Sequence, residues 1–131
     1  MFYGSVENMI AQDVLNSFEN KNVLVTGGTG LIGRQIVRIL ADAGAKVTIV
    51  SLDHVTVDER AEHVLGDLTD FAFVKKITSG RDFVFHVAGI KGSIEVTKSK
   101  PASFFVPLLM MNTNVLEACR LNNVKKVVYT S

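Results

Sequence analysis

Val23-Leu24-Val25-Thr26-Gly27-Gly28-Thr29-Gly30-Leu31-Ile32-Gly33 is an apolar strand that runs into four glycines and out into a helical pattern beginning Arg34-Gln35-Ile36-Val37. Glycines at this spacing let a strand turn sharply, let backbone approach a phosphate and let the new helix pack on the strand. The unpaired amides at a helix N-terminus, with their partial positive charge, then suit a pyrophosphate without help from a lysine. The candidate contacts are Gly27, Gly30, Leu31, Ile32 and Gly33. A second apolar strand, Lys46 to Ser51, follows at the distance of a βαβ unit, and in that context the pattern reads as a dinucleotide site. A P-loop needs Lys and then Ser or Thr after its last glycine, where this chain has Arg34 and Gln35, which argues against ATP hydrolysis. Two registers fit the glycines, Gly28-x-Gly30-x-x-Gly33 and Thr26-Gly27-x-x-Gly30-x-x-Gly33, and the glycines alone do not choose between them.

The rest of the chain extends this unit. Gly44 stops the first helix, and the β-branched run Lys46 to Ser51 suits a strand covered on both faces. A short strand is expected at 63–65, a helix at 71–78, a strand at 82–87 ending in Ala88-Gly89, a loop from Ile90 to Pro101, a helix at 104–121 and a strand at 125–130. Pro107 is expected to delay the start of that last helix or to sit in its first turn. Alternation of strands and helices predicts an α/β, doubly wound parallel sheet of Rossmann type, strand order 3-2-1-4-5, with ligand beyond the carboxyl ends of strands one and four. Ahead of it, Met9, Ile10, Val14, Leu15 and Phe18 predict an amphipathic helix over 6–18, so that 1–20 is a lead-in and 21–131 one dinucleotide-binding domain.

Composition narrows the function classes. The chain has 131 residues, 47% of them hydrophobic, and a formal charge of +1, enough for one core and without the basic stripe that nucleic acid requires. The single cysteine, Cys119, falls in a helical pattern and reads as a buried small hydrophobe in a reducing setting. His54, His63 and His86 have no partners at metal-ligand spacing, and no serine lies in a nucleophile elbow, so neither a metal site nor a hydrolase is expected. No secretory leader or uninterrupted apolar run of bilayer length is seen, which predicts a cytoplasmic protein without membrane contact.

Four segments in order carry a resemblance: Thr26-Gly27-Gly28-Thr29-Gly30-Leu31-Ile32-Gly33, Gly66-Asp67-Leu68-Thr69-Asp70, Val84-Phe85-His86-Val87-Ala88-Gly89 and Asn123 to Ser131. Residues 21–131 resemble the extended short-chain dehydrogenase/reductases, above all the NAD-dependent nucleotide-sugar epimerases and dehydratases. The resemblance implies that Asp67 bonds the adenine amino group, that the Leu68 amide reads the ring, and that Val87, Ala88 and Gly89 let backbone approach the ribose and phosphates. The family's ribose-binding acid usually ends strand two, where this chain has Ser51; Asp53 takes that role if the strand end kinks. A carboxylate there favours NAD and repels the 2′-phosphate of NADP, whereas Arg34 and Arg60 would support NADP. The family's asparagine ahead of Leu-Glu-Ala falls at Leu108, and neither Asn112 nor Asn114 is given a role.

In this family a Tyr-x-x-x-Lys pair moves protons, the lysine lowering the tyrosine's pKa. Neither Tyr3 nor Tyr129 has a lysine four residues on. The expectation is therefore a chain that ends after strand five, holds cofactor and does not turn over alone, as part of an enzyme acting on a nucleotide-sugar by hydride transfer. A non-catalytic NAD(P)-binding regulatory or interaction module, or a ketone reductase of the same superfamily, is the alternative. Phe104 to Met111, apolar almost all round, and the Val127-Val128-Tyr129 edge predict a homo-oligomer.

Overall fold

The computed structural model describes residues 9–90 and 98–130. Five strands form one parallel sheet: β1 (Asn22–Thr26), β2 (Lys46–Ser51), β3 (Glu62–Leu65), β4 (Phe83–His86) and β5 (Lys126–Tyr129), in the order β3-β2-β1-β4-β5. Among the described residues four helices accompany them: α1 (Gln12–Asn16), α2 (Leu31–Asp42), α3 (Phe71–Ile77) and α4 (Pro101–Leu121).

Side chains alternate across a strand, and that period divides the core in two. Val23, Val25, Val47 and Ile49 point to the face covered by α2, where they meet Val37 and Leu40. Leu24, Val50 and Val84 point to the other face, where they meet Val74 of α3 and Met111, Val115, Ala118 and Cys119 of α4. Residues 23–26 of β1 are fully buried, as a central strand with helices on both sides requires. The chain winds outward from β1 through β2 to β3, then crosses to the far side of β1 to make β4. The order reverses at that point, and a crevice opens above the strand ends.

The helix stops follow their sequence signals. Gly44, at φ +83°, sends its amide to the Ala41 carbonyl while Ala45 reaches Leu40, a Schellman close for α2. Asp70 caps α3 by accepting the Phe73 amide at 3.3 Å.

Three expectations are corrected. The leading helix begins at Gln12, buries no residue, and holds the sheet through Phe18 just beyond it, packed edge-on to Phe83 at 5.2 Å; five residues are too few for a self-supporting helix. Positions 6–8 of that expectation, and positions 91–97 of the Gly/Ser/Lys loop, lie outside the described residues. Next, α4 starts six residues before Pro107, because Pro101 occupies its first turn. Pro107 then sits inside the helix and deprives the Ser103 carbonyl of its donor, which is tolerable because Ser103 is exposed to water. Lastly, α4 is long and apolar enough, by length and composition, to cross a membrane. The expectation that no such stretch exists counted uninterrupted apolar runs, whereas Asn112, Thr113 and Asn114 interrupt this one without making it polar on average. In the fold its second half lies on the sheet and against α3.

Candidate dinucleotide cleft

A cleft of about 680 Å³ opens at the carboxyl ends of β1, β2, β3 and β4. Its walls are Gly27, Thr29 and Gly30 after β1; Val50, Ser51, Leu52 and Asp53 at the end of β2; Gly66 to Thr69 after β3; Val87 to Ile90 after β4; and Pro107 and Met111 from α4.

Two glycines set its floor. Gly27 has φ +69°, and a Cβ there would lie 2.6 Å from the Ala88 Cα and 2.8 Å from its nitrogen, so the loops after β1 and β4 touch backbone to backbone. Gly33, in the first turn of α2, would drive a Cβ into the Gly27 carbonyl and to 2.8 Å from the Gly28 Cα. That contact brings the helix down on the turn. Gly30, the N-cap, offers no capping side chain, and its own amide is used on the Gly27 carbonyl at 3.0 Å. The start of α2 therefore presents first-turn amides without a side-chain acceptor of its own, an arrangement that suits an anion.

Of the residues the sequence singles out, the cleft brings together Gly27, Gly30, Asp53, Asp67, Leu68, Val87, Ala88 and Gly89. Leu31, Ile32 and Gly33 are not on its wall: the Leu31 and Ile32 side chains are exposed and Gly33 is buried by packing. The chain bends at Leu52 and Asp53, and the Ser51 hydroxyl donates to the Asp53 carbonyl at 2.9 Å. The chain therefore turns directly after β2, with Asp53 on the cleft wall. Asp67 accepts the Thr69 amide at 2.9 Å and its hydroxyl at 2.7 Å, and these bonds hold its carboxyl below the usual range. The same residue is both a turn former and part of the wall.

Neither arginine that could read a 2′-phosphate lines the cleft. Arg34 donates to the Thr29 carbonyl at 2.8 Å, behind the glycine loop. Arg60 is shared between Asp58 at 2.7 Å and Asp42 at 2.8 Å, and hydrogen bonding to it lowers the Asp58 carboxyl to about 2. Cys119 is buried, and desolvation pushes its thiol up to about 11, so it is inert at neutral pH.

Sequence reading missed what α4 supplies. Pro107 and Met111, four residues apart and so on one helix face, form an apolar wall of the cleft; that spacing was the available signal. Beneath the floor lies a buried polar chain. The Thr26 hydroxyl is 2.6 Å from His86 Nδ1, and His86 Nε2 is 2.7 Å from Asn112 Oδ1. Thr26 Oγ1 also accepts the Ala88 amide at 3.3 Å. With the Asn112 oxygen as acceptor, His86 carries its proton on Nε2 and accepts the Thr26 hydroxyl at Nδ1. Burial lowers the His86 pKa, opposed by its bond to Asn112, and the ring is held neutral.

A model of the NAD dependent epimerase/dehydratase family matches residues 23–131. The chain is 28% identical over 129 residues to an uncharacterized membrane protein of Methanocaldococcus jannaschii, covering 92% of this chain and 38% of that one. It is 31% identical over 134 residues to the bifunctional UDP-glucose 4-epimerase and UDP-xylose 4-epimerase 3 of Arabidopsis thaliana, covering 89% and 38%. An epimerase of Methanothermobacter thermautotrophicus has the same fold, with a TM-score of 0.81 at 30% identity over 92% of this chain and 38% of that one. The chain thus spans about 38% of the length of these curated relatives.

The neutral, buried His86 makes stability pH-dependent with a definite sign. Its folded pKa lies below the unfolded value near 6.5, so its contribution is full above that pH and is lost as pH falls from there toward the lowered value. Urea unfolding at about pH 7.5 and about pH 5.5 should show wild type losing more stability on acidification than His86→Gln. Equal losses would remove His86 from the account.

Proposed function

Because this chain belongs to the NAD-dependent epimerase/dehydratase family, we propose that it is the cofactor-binding part of an enzyme that acts on a nucleotide-sugar by hydride transfer. The observation that carries this reading is the floor of the cleft, where Gly27 and Ala88 meet backbone to backbone beside the uncapped start of α2. A side chain at Gly27 would force the two loops apart and break this floor. In this reading the amides of Leu31, Ile32 and Gly33 face the phosphates, Leu31 and Ile32 acting through backbone while their side chains point to solvent, and Gly30, whose own amide is held by the Gly27 carbonyl, lets the phosphates come close. Asp53 accepts the hydroxyls of the adenine ribose, Asp67 and the Leu68 amide hold the adenine, and Val87, Ala88 and Gly89 pass beneath the other half. When bound, the nicotinamide supplies hydride acceptance and return.

NAD is favoured over NADP. Asp53 lines the cleft at the end of β2, where in this reading its carboxylate opposes a 2′-phosphate, and Arg60 is engaged by Asp42 and Asp58. In this reading these 131 residues bind cofactor and supply no proton-moving Tyr-x-x-x-Lys pair, Tyr3 having Glu7 four positions on and Tyr129 lying within β5. The nucleotide-sugar is suggested by the Arabidopsis relative. Self-association belongs to the same reading, supported by the exposed Phe105, Val106, Leu109 and Met110 of α4.

Gly30 is the site for a binding test because its φ of −75° suits any residue and a Cβ there meets only the Gly27 oxygen at 3.3 Å. Gly30→Trp should fold and lose NAD binding in calorimetry; unchanged affinity would contradict the pyrophosphate site. Asp53→Ala should weaken NAD about tenfold or more and leave NADP unchanged or tighter, reading out one lost charged hydrogen bond and one relieved repulsion. An unaltered NAD to NADP ratio would take Asp53 out of the site.

A further inference from the structure

We propose that Asn114 is a positioning residue for the adenine side of the cleft, an inference that rests on the dinucleotide reading above. Helical residues advance by about 100° each, so Asn112 and Asn114 flank opposite sides of the buried stripe Met111, Val115, Ala118 and Cys119. From one flank Asn112 bonds His86 at 2.7 Å and ties α4 to the end of β4. From the other, Asn114 Nδ2 donates to the Leu68 carbonyl at 3.0 Å.

The loop at 66–69 is thereby braced within itself and tied to α4. Thr69 holds the Asp67 carboxylate on the cleft side, and Asn114 holds the next peptide from behind. The Leu68 side chain is buried in the core beside Met111 and Val115, so the loop has no other polar tie of its own to α4 among the described hydrogen bonds. The Leu68 carbonyl and the Leu68 amide bracket a single residue. A shift of that carbonyl re-aims the amide proposed to read the base. Asn112 supplies the fixed origin, since a helix anchored to β4 carries Asn114 to a defined place beside the loop after β3. The two halves of the cleft, on the β3 and β4 sides of β1, are registered against each other through one helix.

The test separates the halves of the ligand. Adenosine monophosphate and nicotinamide mononucleotide are titrated into the 131-residue chain, followed by amide resonances, well below the unfolding temperature. Asn114→Ala should bind the adenine nucleotide about fivefold more weakly, the effect of one lost hydrogen bond, and bind the nicotinamide nucleotide as wild type does. Asn114→Asp, of equal size but without the donor, should match it. A role confined to stability would leave both affinities unchanged in the folded protein, or lower both together, and either result overturns the proposal. In wild type, the Asn114 side-chain amide resonances should shift with adenosine monophosphate and stay put with nicotinamide mononucleotide, a reading that needs no variant; the reverse overturns the proposal. Failure of wild type to bind either nucleotide overturns the dinucleotide reading itself.

Discussion

The backbone contact between Gly27 and Ala88 is the constraint on which the cleft depends. In a parallel sheet whose order reverses at β1, the loops leaving β1 and β4 diverge to opposite sides, and a crevice exists only if both stay low. A Cβ at Gly27 would lie 2.6 Å from the Ala88 Cα, and the positive φ at Gly27 turns the chain away from the strand line. Gly33 then lets α2 settle on the same turn. Helix start, turn and neighbouring loop are thus stacked within contact distance, which keeps both loops low and the crevice above them open.

Beneath that floor the protein buries a neutral polar chain instead of apolar side chains. Thr26, His86 and Asn112 satisfy one another, and Thr26 also accepts the Ala88 amide. Buried polar groups are costly when unpaired and specify one arrangement when fully paired. Here the paired arrangement links β1, β4, the loop after β4 and α4. The cleft is consequently shaped by a helix whose own contribution to its wall is only Pro107 and Met111.

Much of this was legible in the sequence because it depends on local rules. The glycine spacing, the β-branched run of Lys46 to Ser51 and the Gly44 stop each act within a few residues and mark the first βαβ unit, and the alternation of strands and helices after it gives the sheet order. Asp67 and Ala88 lie in the ordered motifs and Asp53 stands two residues past the family's usual acid position, and all three line the cleft, the chain after β2 being held by the Ser51 bond to the Asp53 carbonyl. What was not legible depends on contacts between distant segments. The bonds of Asn112 and Asn114 span 26 and 46 residues, so no local pattern announces them. The start of α4 was misjudged because Pro107 looks like a boundary, while the solvent exposure that makes it tolerable is a property of the fold. The leading helix was overestimated from five apolar positions, of which Phe18 alone joins the core cluster.

The most direct test of the account is an amide resonance map of the isotopically labelled chain titrated with NAD. The account predicts saturable shifts concentrated at Gly27 to Gly33, at Asp67 to Thr69 and at Val87 to Gly89, with Asn22, Lys46 and Asp82 at the opposite end of the sheet unmoved. Saturable binding that leaves the glycine loop unshifted, or shifts centred on the far end of the sheet, would contradict it.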